Sequence, residues 1–346
     1  MAENRRKIVD AIARLPFGAR FLIEAARLKK EARVLLRSMT PWERLEQKWP
    51  NNLNIEVTNI CNANCVFCAY QFQSQWRSDR GIIGRERFET VIKAHAKNGG
   101  TFVSLTPFLG DPLVDPDIVG KVRHITQRGL AVAFFTNGIL LNRLDLADLL
   151  DSGLQFITIS TGPLDRNLFE RIYRSKQYDD LLHGLVRLLT LRNELGAEFK
   201  VNLAFRSPLS FSATLSLPDF RDTVWPLLTA VERAEIMVMN SFDDWAGQIT
   251  QEDLLPGMRL QAPPRLKHRP CRWTFIPYVT WDGLVRACAC RFLPSPQGDD
   301  ELVVGDLKQA SLTEIWLGDR VKALRRRFPT GVLPLVCEKC PVYDPC

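Results

Sequence analysis

Nine cysteines fall into two groups at opposite ends of the 346-residue chain. Cys61, Cys65 and Cys68 form a C-x3-C-x2-C run, and Cys271, Cys288, Cys290, Cys337, Cys340 and Cys346 follow after a cysteine-free stretch from 69 to 270. A cysteine buried for packing behaves as a small hydrophobe and is usually solitary. Grouped thiols in a reducing compartment are metal ligands or catalysts rather than disulfides. Three thiolates with no histidine nearby are one ligand short of a structural zinc site. On a cubane 4Fe–4S cluster the same three leave one iron open, and an open metal position can take a substrate or cofactor.

These thiolates need a scaffold that presents them. The first run follows an alternating apolar segment (Leu53, Ile55, Val57), so a strand leads directly into the thiolate-rich loop. From residue 53 to about 240 short apolar runs alternate with amphipathic stretches, the pattern of a parallel α/β sheet. Strands are expected at 53–58, 101–107, 130–136, 155–160, 198–205 and 234–239, and helices at 85–97, 115–128, 142–151 and 178–195. Six repeats fall short of a closed eight-stranded barrel. The expected fold is α/β, a partial (β/α)6 barrel whose site lies at the C-terminal ends of its strands. Beyond it, Cys271 and Cys288 flank a strand-like run with Trp281-Asp282-Gly283, so a hairpin turning at Asp-Gly would bring the two thiols together. A helix is expected at 312–328, followed by Cys337 and Cys340. The division is 1–50, a basic amphipathic helical cap; 51–250, the barrel; and 251–346, a small hairpin-plus-helix domain.

C-x3-C-x2-C with Phe67 before the third cysteine resembles the signature of the radical S-adenosylmethionine (SAM) superfamily. That resemblance implies a SAM-binding 4Fe–4S cluster on Cys61, Cys65 and Cys68, whose open iron chelates SAM. It also implies an electron donor such as flavodoxin or ferredoxin, and reductive cleavage of SAM to a 5′-deoxyadenosyl radical. Gly110-Asp111-Pro112 is similar to the family's Gly-Glu-Pro turn, with Asp for Glu and Leu109 where a second glycine is common. Asn137 in Thr136-Asn137-Gly138, Ser160 near the end of strand 4, and Asn202 and Arg206 on strand 5 complete the SAM-binding residues that the resemblance implies. The later cysteines, together with Leu312-Thr-Glu-Ile-Trp316, resemble the auxiliary-cluster extension called SPASM, or its shorter single-cluster form Twitch. The chain lacks two further cysteines of the full pattern. The resemblance therefore implies one auxiliary 4Fe–4S cluster on Cys271, Cys288, Cys337 and Cys340, with structural zinc as the competing occupant, and leaves Cys290 and Cys346 spare.

Composition sets the outer bounds. With 46% apolar and 25% charged residues the chain is neither disordered nor fibrous. Residues 1–50 hold 12 Lys and Arg against 6 Asp and Glu, so most of the net charge of +7 sits there and the body has no basic excess with which to coat nucleic acid. Contact of residues 1–40 with an anionic membrane surface is the alternative to packing on the barrel. No stretch is long and apolar enough for a span, and Glu24 cuts the longest early apolar run, so a cytoplasmic location is expected.

The substrate expected is a small polar molecule of carbohydrate or aminocyclitol type, altered by epimerisation or alcohol oxidation. Polar residues after strand 6 (Asn240, Ser241, Asp243, Asp244) and Trp245 are candidates to contact it. Inversion requires a second hydrogen donor, and the candidate thiols are Cys290, then Cys346. A peptide-modifying enzyme is the alternative. Such enzymes often carry a leader-binding domain of about 80 residues, larger than the head here. A non-enzymatic iron–sulfur or zinc binding module is the remaining reading.

Overall fold

Segments rich in β-branched and aromatic residues become strands, as that composition favours. They are β1 (Asn52–Ile55), β2 (Phe102–Ser104), β3 (Ala131–Thr136), β4 (Phe156–Thr161), β5 (Lys200–Arg206) and β6 (Ile236–Met239). This computed structural model describes residues 42–46, 48–72, 79–198, 200–229, 235–289 and 300–346. The six strands pair in chain order and all in parallel, which gives the partial barrel. On the outer face lie α1 (Arg85–Lys97), α2 (Ile118–Thr126), α3 (Leu146–Asp151), α4 (Arg166–Tyr173) and α5 (Tyr178–Glu194). Each buries an apolar stripe at helical spacing, for example Leu181, Leu185, Leu188 and Leu189 of α5. In β1, Leu53 and Ile55 are fully buried, while Asn54, and Glu56 just past the strand, alternate with them and face the opposite side, the inside of the curve.

A short parallel pair, β7 (Ser241–Phe242) and β8 (Arg259–Leu260), stands apart. The C-terminal region then returns to the main sheet. β9 (Tyr278–Val279) pairs in parallel with β1, β10 (Leu284–Arg286) turns back on it, and β11 (Val303–Asp306) closes the edge. The hairpin turn is the expected one. Gly283 takes φ +100°, and a Cβ there would press on the Arg87 side chain of α1 at 2.8 Å. The auxiliary region thus extends the barrel sheet from the edge of the strand that carries the first cysteines.

Several expectations needed correction. The helix expected at 312–328 is two helices, α6 (Leu312–Leu317) and α7 (Asp319–Thr330). Gly318 is extended at ψ 170°, and the Ser311–Glu314 capping box starts α6. The helix expected at 142–151 starts at Leu146, where Asp145 accepts from the Asp148 N–H at 3.0 Å. α4 was not anticipated, although Asp165 caps it and Phe169, Ile172 and Tyr173 form its buried face. Of the expected N-terminal cap, residues 1–41 lie outside the described residues. At its end Glu43–Glu46 is a short helix and Trp42 packs edge-on against Phe275. Among the described residues no helix is long and apolar enough to cross a membrane.

Candidate cluster sites

The first cysteine loop leaves β1 and docks on the C-terminal end of α4. That end has carbonyls with no partner inside the helix. Asn64 and Val66 donate their N–H groups to the carbonyls of Tyr173 (3.1 Å) and Ile172 (2.9 Å). Tyr70 closes the loop from the other side: its hydroxyl accepts from the Cys61 N–H and donates to the Cys61 carbonyl, both at 3.1 Å. The Tyr70 N–H reaches Cys68 Sγ at 3.5 Å, and Asn137 Nδ2 reaches Cys61 Sγ at 3.9 Å. Burial pushes all three thiols upward, Cys68 to about 11. Cys61 is raised further by the Asp111 carboxylate, and Arg206 opposes the shift at Cys65 and Cys68.

The turn after β2 is fastened to this loop. At Gly110, φ is +149° and a Cβ would lie 2.5 Å from the Thr58 carbonyl oxygen, so only glycine fits. Asp111 donates its N–H to the Ile60 carbonyl at 2.9 Å. Its carboxylate accepts from Thr136 Oγ1 at 2.9 Å, from the Asn137 N–H at 2.6 Å and from the Leu113 N–H at 3.0 Å. Burial raises its pKa to about 6 against the pull of those donors. The Asp111 side chain therefore fixes the end of β3, and its backbone is engaged as well, the N–H by the Ile60 carbonyl and the carbonyl by the Val114 N–H at 3.1 Å. Phe67 stacks on Phe242 with centroids 4.9 Å apart and carries the Arg206 guanidinium at 5.9 Å. Arg206 donates to Ser160 Oγ at 3.0 Å. Phe67, Asn137, Ser160 and Arg206 thus stand together at the cysteine loop.

Asn202 stands apart from them. It lies four residues before the last residue of β5, about 13 Å along a strand, and its carboxamide is held by Thr158 Oγ1 and the Glu235 N–H. It lies on the expected strand, which ends at Arg206.

In the C-terminal region Cys271, Cys288, Cys337 and Cys340 line a single pocket walled by Trp273, Phe328 and Tyr343. Cys271 comes from the turn before β9, Cys288 from the end of β10, and the other two from the tail. Burial, with the Cys288 and Cys340 thiols adding, pushes Cys271 well upward, and the Asp344 N–H reaches its Sγ at 3.5 Å. Cys346 is turned to the Pro270 carbonyl, to which its thiol donates at 3.0 Å. Cys290 lies outside the described residues. Among the described residues no three His, Cys, Asp or Glu side chains converge tightly enough to hold one metal ion. Four soft thiolates lining one pocket suit an iron–sulfur cluster, and four thiolates also suit a structural zinc.

Between the two sites the inner face is polar and aromatic. The Tyr278 hydroxyl stands 3.5 Å from the Glu56 carboxylate. Arg286 lies over the Phe108 ring at 4.9 Å and pairs with Asp300 at 2.7 Å. Phe108 meets Trp245 edge-on at 5.4 Å, and the Trp245 indole N–H donates to the Phe67 carbonyl at 2.9 Å. Trp245 and Ala246 hold φ of 49° and 60°, a conformation that costs roughly 1–3 kcal/mol per residue where the surroundings impose it. Of these residues the sequence points to Trp245 and Phe67. For Glu56 the available signal was a charge at an alternating strand position, and for Arg286 its place two residues before a cysteine.

Comparison with known proteins agrees with this geometry. The radical SAM superfamily model matches residues 55–191, and the model of the SPASM iron–sulfur cluster-binding domain matches residues 271–341. GTP 3′,8-cyclase of Alkaliphilus metalliredigens (strain QYMF) is 29% identical over 147 residues, 42% of this chain and 45% of that protein. The enzyme of the same name from Peptoclostridium acidaminophilum is 33% identical over 137 residues, 39% of this chain and 41% of that protein. The chain spans less than half the length of these two curated relatives. Among solved structures, Streptococcus suis SuiB bound to precursor peptide SuiA superposes with a TM-score of 0.58 at 15% identity, covering 88% of this chain and 73% of that one. BtrN in complex with AdoMet and 2-DOIA gives 0.52 at 15% identity, covering 85% and 93%. At these identities the likeness is one of fold. The two matched domains imply a SAM-binding 4Fe–4S cluster, auxiliary cluster chemistry and SAM. The chain carries a radical SAM domain and, C-terminal to it, a SPASM iron–sulfur cluster-binding domain.

Proposed function

We propose that the protein removes hydrogen from a carbon of a small polar substrate, of carbohydrate or aminocyclitol type, with epimerisation or alcohol oxidation as the outcome. When bound, the first cluster and SAM supply a 5′-deoxyadenosyl radical. Cys61, Cys65 and Cys68 would hold that cluster, and Cys271, Cys288, Cys337 and Cys340 an auxiliary one. The backbone at Gly110, in the turn that Asp111 fastens, with Asn137, Ser160 and Arg206, would orient SAM, and Phe67 would wall the site. The observation that carries the reading is the polar ground between the two cysteine sets. Glu56 and Tyr278 offer a carboxylate and a hydroxyl to hydroxyl or amino groups, and Phe108 and Trp245 offer faces on which a ring can rest. A guanine nucleotide is the second substrate to try, because the 29–33% identity is to GTP 3′,8-cyclases.

Anaerobic reconstitution tests the reading. Two 4Fe–4S clusters require about eight irons and eight acid-labile sulfides per chain, and reduced protein should cleave SAM to 5′-deoxyadenosine. In deuterium oxide an epimerised product carries one carbon-bound deuterium, and an oxidised product carries none. If Cys290 is the hydrogen donor, Cys290→Ala should abolish the deuterated product. About four irons with one zinc would end the auxiliary-cluster reading, and absence of 5′-deoxyadenosine would end the enzymatic one.

A further inference from the structure

Four cations are buried around the second pocket, and each donates to a backbone oxygen on or beside a cysteine segment. Lys267, 7% exposed, places its ammonium 2.8 Å from the Cys337 carbonyl and 2.7 Å from that of Glu338. Arg286, 3% exposed, donates through Nη1 to the Cys288 carbonyl at 2.9 Å. Arg325 donates through Nε and Nη2 to the Thr274 carbonyl, three residues past Cys271, at 3.1 and 3.0 Å. Arg269 donates to the backbone oxygen of Cys346 at 2.9 Å. Carboxylates also face this collar: Asp300 pairs with Arg286, and Glu46 stands 3.9 Å from Arg325. At the first loop the formal charges are of both signs, with Asp111 beside Cys61 and Arg206 beside Cys65 and Cys68.

Burying a cation is expensive unless something anionic rewards it. Four thiolates around a metal cluster make an anionic group, and adding an electron makes it more so. Buried positive charge close by favours the reduced form in a way that salt screens little. Cluster potentials respond to such charge, to hydrogen bonding and to burial. We propose that Lys267 and Arg286 are positioning residues that raise the reduction potential of the auxiliary cluster, acting through the Cys337 and Cys288 segments, and so hold it above the SAM-binding cluster. The inference rests on the reading that this pocket holds a 4Fe–4S cluster.

Anaerobic redox titration followed by electron paramagnetic resonance tests it on the full chain, with added SAM marking which signal belongs to the first cluster. At the wild-type auxiliary midpoint, Lys267→Met should lower the ratio of reduced to oxidised cluster at least tenfold, which is 59 mV for one electron. Lys267→Arg should restore the ratio to within about threefold of wild type, and the first cluster should not move. Arg286→Gln leaves the Cys337 segment untouched and should shift the ratio in the same direction, which keeps the test decisive if Lys267→Met loses iron. Full iron content with both ratios within twofold of wild type would overturn the inference alone. Zinc in place of the second cluster would overturn the auxiliary-cluster reading itself, and this inference with it.

Discussion

The two cysteine sites solve the same problem by opposite means. The first gathers three thiols from eight consecutive residues, so local loop geometry does most of the work, and it is held by neutral groups such as the Tyr70 hydroxyl, the Asn137 carboxamide and the carbonyls ending α4. The second draws four thiols from three segments spread over seventy residues of sequence. It depends on the β9–β10 hairpin, on the tail and on buried cations that tie them together. A contiguous loop can be poised for a ligand before the rest of the region packs. An assembled pocket exists only once distant segments have met, so its metal group and its fold should stabilise one another.

The comparison breaks most readily at the thiols. Cys65→Ala should abolish 5′-deoxyadenosine formation and remove about four irons per chain while leaving the second cluster, as iron analysis and spectroscopy would show. Cys340→Ala should cost the other four or so and also loosen the C-terminal region, lowering the thermal midpoint by several degrees, because metal binding there is coupled to folding. If Cys65→Ala lowers the midpoint as much as Cys340→Ala, the contrast between a local and an assembled site is wrong. Gly110→Ala comes next. With φ +149° and the Thr58 carbonyl oxygen 2.5 Å from the new Cβ, it should cost about 2–4 kcal/mol in urea unfolding.

A subtler effect tests the frame that both sites share. His95 of α1 is fully buried, accepts from the Trp49 indole and meets the Phe102 carbonyl, and burial lowers its pKa to about 4. The unfolded chain therefore binds the extra proton between about pH 6.5 and pH 4. Stability is full above that window and falls as pH drops through it, by up to about 3 kcal/mol. Urea midpoints at pH 7 and pH 4.5 should differ less in His95→Gln than in wild type. The smallest change is Tyr70→Phe, which removes one hydroxyl from the first loop and should cost about 1–2 kcal/mol. It should speed cluster loss from the first site and leave the second unchanged.

Much of this was legible in the sequence for a specific reason. The six strands and the long helices α1 and α5 announce themselves through uninterrupted periodicity, and the observed bounds fall within a few residues of those expected. The C-x3-C-x2-C run is a local spacing, and local spacing survives folding unchanged. α4 escaped notice because its eight residues carry only two turns of pattern, although it anchors the cysteine loop. The break at Gly318 escaped because the apolar pattern continues across it. Alternation put Asn202 and Arg206 on one strand and could not say which of them reaches the cysteine loop, because it reports the face a residue occupies and not where along the strand a loop docks.

By itself, the sequence determined the parallel α/β core and the identity and order of the thiols. These are properties of short segments, set by spacing, propensity and backbone sterics. Only the tertiary structure decided that β9 would pair with β1, which places the two cysteine sites on one sheet. Only it showed Trp245 reaching the Phe67 carbonyl from 178 positions away, and Lys267 and Arg286 turning inward to the auxiliary pocket. A lysine or arginine in a sequence is, to first approximation, a surface residue. What turns one inward is the free energy of the whole assembly, in which distant carbonyls and thiols offer partners that no neighbouring residue reveals.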